Sequence, residues 1–490
     1  MEKITVVLPY SPEVSSGSTL QQWSNSPLVA EIIILHRGDY RASHPKTRGF
    51  ACDSLTSRKV LTQLLSKIST QYLIFILRSD KVTLGQFSLE QLFATAENTR
   101  AGLIYGDYNE IKDGTILHHP LIDYQLGSVR DEFNFGNLLF FSIEAIRRAF
   151  INHGSLLDTV AAGLYDLRLK VSIDSPIVHL PEYLYTMDES DTRIPDEKMF
   201  DYVDSRNCES QIEMEEVFTA YLRRIGAFIE PSTLKHCGGT GIFPVEASVI
   251  IPVRNREKTI ADALQSALSQ KLAVPWNIIV VDNHSTDSTS AIVHEIAVEN
   301  QRIIHHIPQQ MDLGIGGCWN EAISLASCGR HAIQLDSDDL YASENTLQMI
   351  LDVLHQKRVA MVIGSYRLVN FHLEDIPPGI IDHREWTPEN GHNNALRVNG
   401  LGAPRAFYTG VVRALRFPNV SYGEDYAAGL AISRQYIIER IYEPLYLCRR
   451  WEGNSDTEIG VDNINRNDYY KDTIRSTEIL ARQKCNLMQE

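Results

Sequence analysis

Short Val, Ile and Leu runs alternate with stretches of helical period along the whole chain. In the second half, residues 248–252 read as a strand, and apolar Ile260, Ala263, Leu264, Ala267 and Leu268 put a helix over residues 259–270. Residues 278–282 read as the next strand, and residues 285–300 as a helix opened by Ser285, Thr286 and Asp287. Continuous apolar strands spaced by helices predict an α/β fold with a mainly parallel sheet covered on both faces.

The pattern occurs twice. Thr5-Val6-Val7-Leu8-Pro9-Tyr10 resembles Ser248-Val249-Ile250-Ile251-Pro252-Val253, and Glu31-Ile32-Ile33-Ile34-Leu35-His36 resembles Asn277-Ile278-Ile279-Val280-Val281-Asp282. Residues 73–80 parallel residues 332–338, residues 103–108 parallel 361–366, and residues 181–185 answer 443–447. A single match would be two similar buried strands. The same order kept throughout predicts an internal duplication.

Polar residues 189–207, an amphipathic helix over residues 210–224 and the joint Cys237-Gly238-Gly239-Thr240-Gly241 separate the halves. The predicted organisation is a domain over residues 1–190, a helical linker 191–245, a domain over 246–460 and a terminal helix 461–490 packed through Ile474, Ile479 and Leu480.

Composition narrows the partners. The 490 residues are 43% hydrophobic and carry 46 Lys plus Arg against 62 Asp plus Glu, a formal charge of -16 that disfavours nucleic acid. No run approaches the roughly 18–20 apolar residues of a membrane span, and the opening Met1-Glu2-Lys3-Ile4 has no signal-peptide pattern, so a cytoplasmic protein is expected. Seven scattered cysteines without a Cys-x-x-Cys clip read as mostly buried thiols.

Four stations in the second half carry candidate chemistry. Pro252-Val253-Arg254-Asn255 and Asp282-Asn283-His284-Ser285-Thr286-Asp287 end successive strands, where an open α/β sheet binds ligands; they serve equally as turns and helix caps. Leu335-Asp336-Ser337-Asp338-Asp339 sets three carboxylates after an apolar strand, which fits Mg or Mn and also fits a solvated turn before a helix. Gly423-Glu424-Asp425-Tyr426 offers a general base with an orienting neighbour, or acids complementing a helix dipole. Arg449-Arg450-Trp451-Glu452-Gly453-Asn454 can grip a diphosphate or form a surface turn.

Taken in order with residues 312–320 (Asp-Leu-Gly-Ile-Gly-Gly-Cys-Trp-Asn), these stations resemble glycosyltransferase family 2, of GT-A fold, over roughly residues 246–455. The resemblance implies two tandem GT-A-like, Rossmann-like domains, the C-terminal one catalytic. It implies an inverting, metal-dependent transfer of a hexosyl or acetamidohexosyl group from a nucleoside diphosphate sugar, a UDP-sugar foremost, to a glycan, lipid-linked or protein acceptor. Pro252, Arg254, Asn255, Asp282, Asn283, Gly314, Asn320 and Asp336 would line the nucleotide pocket, and Asp338 with Asp336 would hold Mn or Mg. Arg449, Arg450 and Asn454 would bind the diphosphate. Asp425, or less favourably Glu424, would be the base. Asn283-His284 stands where the family usually has Asp-Gly, and Trp319 where many members have Arg.

The first half keeps the strands and loses the stations. Arg78 is read in place of the leading acid of Asp336-Ser337-Asp338, and Leu164-Tyr165-Asp166 has no acid pair. Acceptor binding, formation of a homodimer or support of the catalytic half remain open for it. The rivals are a bifunctional polysaccharide polymerase, a non-catalytic nucleotide-sugar or carbohydrate-binding protein, and a nucleotidyltransferase. The last would want a Gly-rich triphosphate loop, and Arg254-Asn255-Arg256-Glu257-Lys258 has no glycine.

Overall fold

The apolar runs become strands where turn residues bound them. The computed structural model describes the chain apart from residues 1–2, 11–17, 39, 41, 43, 45, 53, 80, 189–207, 239–240, 385, 452–459 and 489–490. Two compact units result, one of Met1–Pro195, Glu209–Phe228 and Gly460–Ile479, the other of Asp196–Cys208, Ile229–Ile459 and Leu480–Glu490.

The first unit holds β1 (Ile4–Pro9), β2 (Val29–His36), β3 (Thr47–Ala51), β4 (Tyr72–Ile76), β5 (Val82–Leu84), β6 (Leu103–Lys112), β7 (Thr115–His119), β8 (Leu138–Ser142) and β9 (Ile177–Asp188). They form one sheet in the order β3-β2-β1-β4-β8-β6-β9-β5, with β7 beside β6. The second unit holds β10 (Ala247–Val253), β11 (Trp276–Asp282), β12 (Ile303–His306), β13 (His331–Gln334), β14 (Leu340–Tyr341), β15 (Met361–Asn370), β16 (Asp375–Ile381), β17 (Arg405–Tyr408) and β18 (Ile438–Arg450). Its order is β12-β11-β10-β13-β17-β15-β18-β14, with β16 beside β15. Strand for strand, the second sheet repeats the first.

Directions repeat as well. β2, β1 and β4 run parallel, as do β11, β10 and β13. β8 and β17 enter antiparallel to their neighbours, and β6·β9 and β15·β18 return to parallel pairing. Side chains of the parallel block, such as Val6, Ile33 and Ile74 in one unit and Val249, Ile278 and Ile333 in the other, are fully buried. Truncating any of them to alanine costs about 2–5 kcal/mol for the larger residues. The helices Ser88–Thr99 and Thr346–Lys357 are both twelve residues long and both stop on an arginine in left-handed conformation, Arg100 and Arg358.

Register corrects one sequence expectation. Ile4 pairs with Tyr72 and Ala247 with His331, so Leu77 is the counterpart of Asp336, Arg78 of Ser337 and Ser79 of Asp338. An apolar residue, not Arg78, replaces the leading acid. Asp80 lies outside the described residues.

Other differences have local causes. The helix expected at residues 285–300 is Thr289–Glu299; it starts late because Ser285 and Asp287 bond the neighbouring loop, accepting from the backbone N–H groups of Asn255 and Glu257. Part of the expected linker is the helix Cys208–Arg224, which buries Val217, Phe218, Tyr221 and Leu222. Residues 189–207 and Gly239-Thr240 of that region lie outside the described residues. The terminal helix is Val461–Leu487, but Leu480 is exposed. Ile479 is fully buried as expected, and in the first unit the helix also packs through a buried polar network, where Asp472 accepts from Ser128 Oγ at 2.8 Å, Arg130 Nε at 3.2 Å and Arg475 Nη1 at 2.7 Å. None of the seven cysteines forms a disulfide, and only Cys318 and Cys328 are buried, so the mostly buried reading holds for two of them. Among the described residues no helix is long and apolar enough to cross a membrane.

Candidate active site

The parallel block of the second unit brings both clusters of the first station to one sheet edge, after β10 and β11. Asn255, at φ 53°, donates its N–H to Ser285 Oγ at 3.0 Å, and its Oδ1 accepts from Thr286 N at 2.7 Å. Glu257 accepts from Ser288 N at 3.0 Å. Asn255 therefore staples two loops together, as the turn reading has it. Arg254 is exposed and Pro252 half-buried on this edge. Asp282 is buried; burial would raise its carboxyl, but hydrogen bonds from His305, Ser290 and Ser285 hold it well below the usual carboxylate range. The Asn283 amide donates to Leu313 O at 2.8 Å, while its buried Oδ1 has no hydrogen-bond partner.

Residues 312–320 are held by close contacts to the segment 417–420. A Cβ on Gly314 would lie 2.5 Å from the Val420 carbonyl carbon, and one on Gly316 1.9 Å from Pro418 O. Asn320 donates to Phe417 O at 2.8 Å and accepts from Phe417 N at 3.0 Å, which engages both ends of its amide. Trp319 packs against Phe407 and Phe417. These contacts clamp the helix Ile315–Ser324 against the segment that leads into Gly423, whose φ of 81° starts the helix Glu424–Ser433. Asn320 thus supports the acid pair from behind.

Two acid stations far apart in sequence are linked through Arg405. Arg405, on β17, places Nη1 2.6 Å from Asp425 Oδ2. Its backbone N–H donates to Gln334 Oε1 at 3.1 Å, and Gln334 Nε2 reaches both Asp336 oxygens at 3.0 and 2.9 Å. Burial raises the Asp336 carboxyl, with the Asp338 and Asp425 charges adding to it and Arg405 opposing. Asp339 turns inward to accept Arg449 N at 2.8 Å; burial and its two aspartate neighbours push it well up.

Glu424 is only 8% exposed, and burial followed by the Asp425 charge pushes its carboxyl up to about 8. The unfolded chain titrates near 4.5, so between about 4.5 and 8 the folded protein holds a proton that the unfolded chain has lost. Stability therefore falls as pH rises through that window. Glu424→Gln is expected to flatten the fall, read as melting temperature against pH; parallel curves for the two proteins would remove the burial argument.

Arg449 is 2% exposed, donates Nη1 to Asp262 at 2.9 Å and Nε to the Asp338 carbonyl, and keeps a buried Nη2 with no hydrogen-bond partner. Trp451 Nε1 approaches Asp338 Oδ2 at 3.5 Å, and Arg256 Nε lies 3.7 Å from the same oxygen. Arg450 is half-buried on β18, and Asn454 lies outside the described residues. Arg256, Gln334 and Arg405 were not singled out from sequence.

Residues 248–419 match the model of glycosyl transferase family 2. The chain is 31% identical over 195 residues to the UDP-Glc:alpha-D-GlcNAc-diphosphoundecaprenol beta-1,3-glucosyltransferase WfgD of Escherichia coli, covering 40% of this chain and 72% of that protein. It belongs to glycosyltransferase family 2. A further relative, 28% identical over 193 residues (38% of this chain, 72% of the relative), is the putative teichuronic acid biosynthesis glycosyltransferase TuaG of Bacillus subtilis. Among solved structures, S. aureus TarS 1-349 in complex with UDP-GlcNAc aligns at a TM-score of 0.37 and 21% identity, covering 48% of this chain and 72% of TarS 1-349.

The glycosyltransferase has its family match confined to the second unit, while its first unit repeats the GT-A-like sheet with several of the charged positions changed. Strand register equates Leu77 with Asp336, Ser79 with Asp338, Leu139 with Arg405 and Asp188 with Arg449. Each of these four charged groups is replaced by an apolar, neutral or oppositely charged one, while Asp80 stands at the position of Asp339.

Proposed function

We propose that this glycosyltransferase is an inverting, metal-dependent enzyme that moves a sugar from a UDP-sugar to a hydroxyl of a lipid-linked or growing glycan. The observation that carries the reading is Arg405 joining the acids after β13 to the acids that open the helix Glu424–Ser433. The Asp425 carboxylate, oriented by Arg405, takes the acceptor proton, and the freed hydroxyl oxygen attacks the anomeric carbon. The bond from that carbon to the diphosphate breaks on the opposite face, so the configuration inverts. Arg254, Asp282 and Asn283 line the edge offered to the nucleoside, with the unpartnered Asn283 Oδ1 available to a donor group. Arg449, through its unpartnered Nη2, or Arg450, which points to the other face of β18, would supply positive charge to the leaving diphosphate.

The donor set fits a hard divalent ion. Three aspartates crowd one turn, two of them with raised carboxyls, a cost that a cation offsets. Asp338, with Asp336 beside it, would hold Mn or Mg; bound there, the ion would neutralise charge developing on the diphosphate.

A UDP-sugar and a diphospholipid acceptor are the substrates that the name of WfgD gives for that relative, and they support the same classes here. The test is UDP release from a panel of UDP-hexoses and UDP-acetamidohexoses, with and without Mn, against a lipid-diphosphate sugar acceptor. Release with none of the donors would sink the reading. The first unit is proposed to be non-catalytic, because Leu77 and Leu139 leave no acid–arginine centre there. Ser79→Ala is accordingly expected to leave kcat within about twofold of wild type in steady-state transfer, whereas loss as large as that from Asp338→Asn would indicate two working centres.

A further inference from the structure

At the opposite end of the second sheet, before the parallel strands begin, three side chains from distant positions meet. Glu246 directly precedes β10, His331 opens β13, and His355 lies in the last turn of the helix Thr346–Lys357. One ligand atom from each lies within 4.8 Å of the others. His355 Nε2 is 2.9 Å and His331 Nε2 3.7 Å from Glu246 Oε1.

His331 is the decisive member. It is 4% exposed, and neither ring nitrogen has a hydrogen-bond partner. Buried polar groups in native interiors are nearly always satisfied, and an imidazole with two orphaned nitrogens calls for a missing partner.

The duplicated unit supplies an internal comparison. By register and helix length, Lys3, Tyr72 and Glu97 occupy the three corresponding places. There Tyr72 Oη donates to Glu97 Oε1 at 2.7 Å, and Lys3 lies over the Phe93 ring. The first unit closes this corner with its own side chains. The second replaces the trio with two imidazoles and a carboxylate and leaves nitrogens open.

We propose that Glu246, His331 and His355 form a binding site for a transition-metal ion of the Zn class, separate from the donor site. Two imidazoles and one carboxylate are a set that zinc accepts, with a fourth position for water; Mg and Mn favour oxygen ligands. Tetrahedral binding sets ligand atoms about 3.4 Å apart, so the 2.9 Å His355–Glu246 contact must widen and the 3.7 Å His331–Glu246 contact shorten, each by about half an ångström or less. His355, 45% exposed on its side chain at a helix end, has the freedom to supply that movement. The carbonyl end of the helix also favours a cation. Arg330 Nε, 3.2 Å from the Glu246 carboxylate, opposes the ion by charge but orients the carboxylate through a hydrogen bond. The bound ion would tie the starts of β10 and β13 to the helix that covers them.

Cobalt reads the geometry directly. Full-length protein stripped with chelator and titrated with Co(II) is expected to develop the intense visible absorption of four-coordinate cobalt, saturating at one such ion per chain and displaced by Zn(II). His355→Ala, truncated at an exposed position, is expected to weaken cobalt binding by more than about a hundredfold and remove the absorption. Asp338→Asn is expected to leave both unchanged. If the His355 variant does not fold by circular dichroism, Glu246→Gln is read in its place. Wild type without four-coordinate absorption, a signal retained in the His355 or Glu246 variant, or one lost on Asp338→Asn would each overturn the proposal.

Discussion

Asp425→Asn is expected to lower kcat by about a hundredfold to ten-thousandfold, with donor KM nearly unchanged. Asparagine keeps the size of the side chain and an oxygen for Arg405 Nη1, 2.6 Å away in the wild type, but it cannot take a proton. Glu424 is a poor substitute. Its carboxyl, pushed up to about 8 by burial, holds its proton at neutral pH and so cannot accept another there. Glu424→Gln should therefore cost far less than Asp425→Asn when transfer is assayed near pH 7. A drop in UDP-sugar affinity as large as the drop in kcat would make Asp425 a binding residue and return the base to Glu424. Product linkage gives an independent check, since anomeric retention seen by NMR would exclude a single displacement.

The repeated fold was legible because buried parallel strands are written as continuous apolar runs, and five such runs recur in one order. Residue-level equivalence was not. Residues 77–79 differ by one position between the reading from acids and the reading from strand pairing, and only the pairing of Ile4 with Tyr72 and Ala247 with His331 decides it. A slip of one residue changes which side chain faces the site. Arg405 was missed for a related reason. A basic residue after Ala403-Pro404 carries no local signature, and its meaning comes from β17 running antiparallel beside β13 and β15.

Motif residues also carry structural tasks. Asn320 and Gly316 belong to the pattern that identifies the family, yet Asn320 bonds the Phe417 main chain and Gly316 makes room for Pro418 O. They matter to chemistry through where they set Glu424 and Asp425. The trio Glu246, His331 and His355 was invisible in sequence, because its members are joined only by the start points of β10 and β13 and the end of a helix. No spacing rule for metal ligands covers a set assembled by sheet order.

Asp338→Asn is expected to reduce metal-stimulated transfer by at least about a hundredfold while the melting temperature stays close to that of wild type. The expectation follows from position. Asp338 sits on the turn after β13 with a side chain 14% exposed, near Arg256 and Trp451, whereas its neighbour Asp339 is turned inward onto Arg449 N. Removing a charge from a crowded acidic turn relieves repulsion on Asp336 and Asp339, so folding should not suffer. Donor binding in the presence of Mn should fall while binding in EDTA stays as in wild type, because the charge removed acts through the ion. Asp339→Asn should behave differently, lowering stability through the lost acceptor for Arg449 N. Full, EDTA-sensitive activity in the Asp338 variant would move the metal to Asp336 and leave Asp338 as a partner for Arg256.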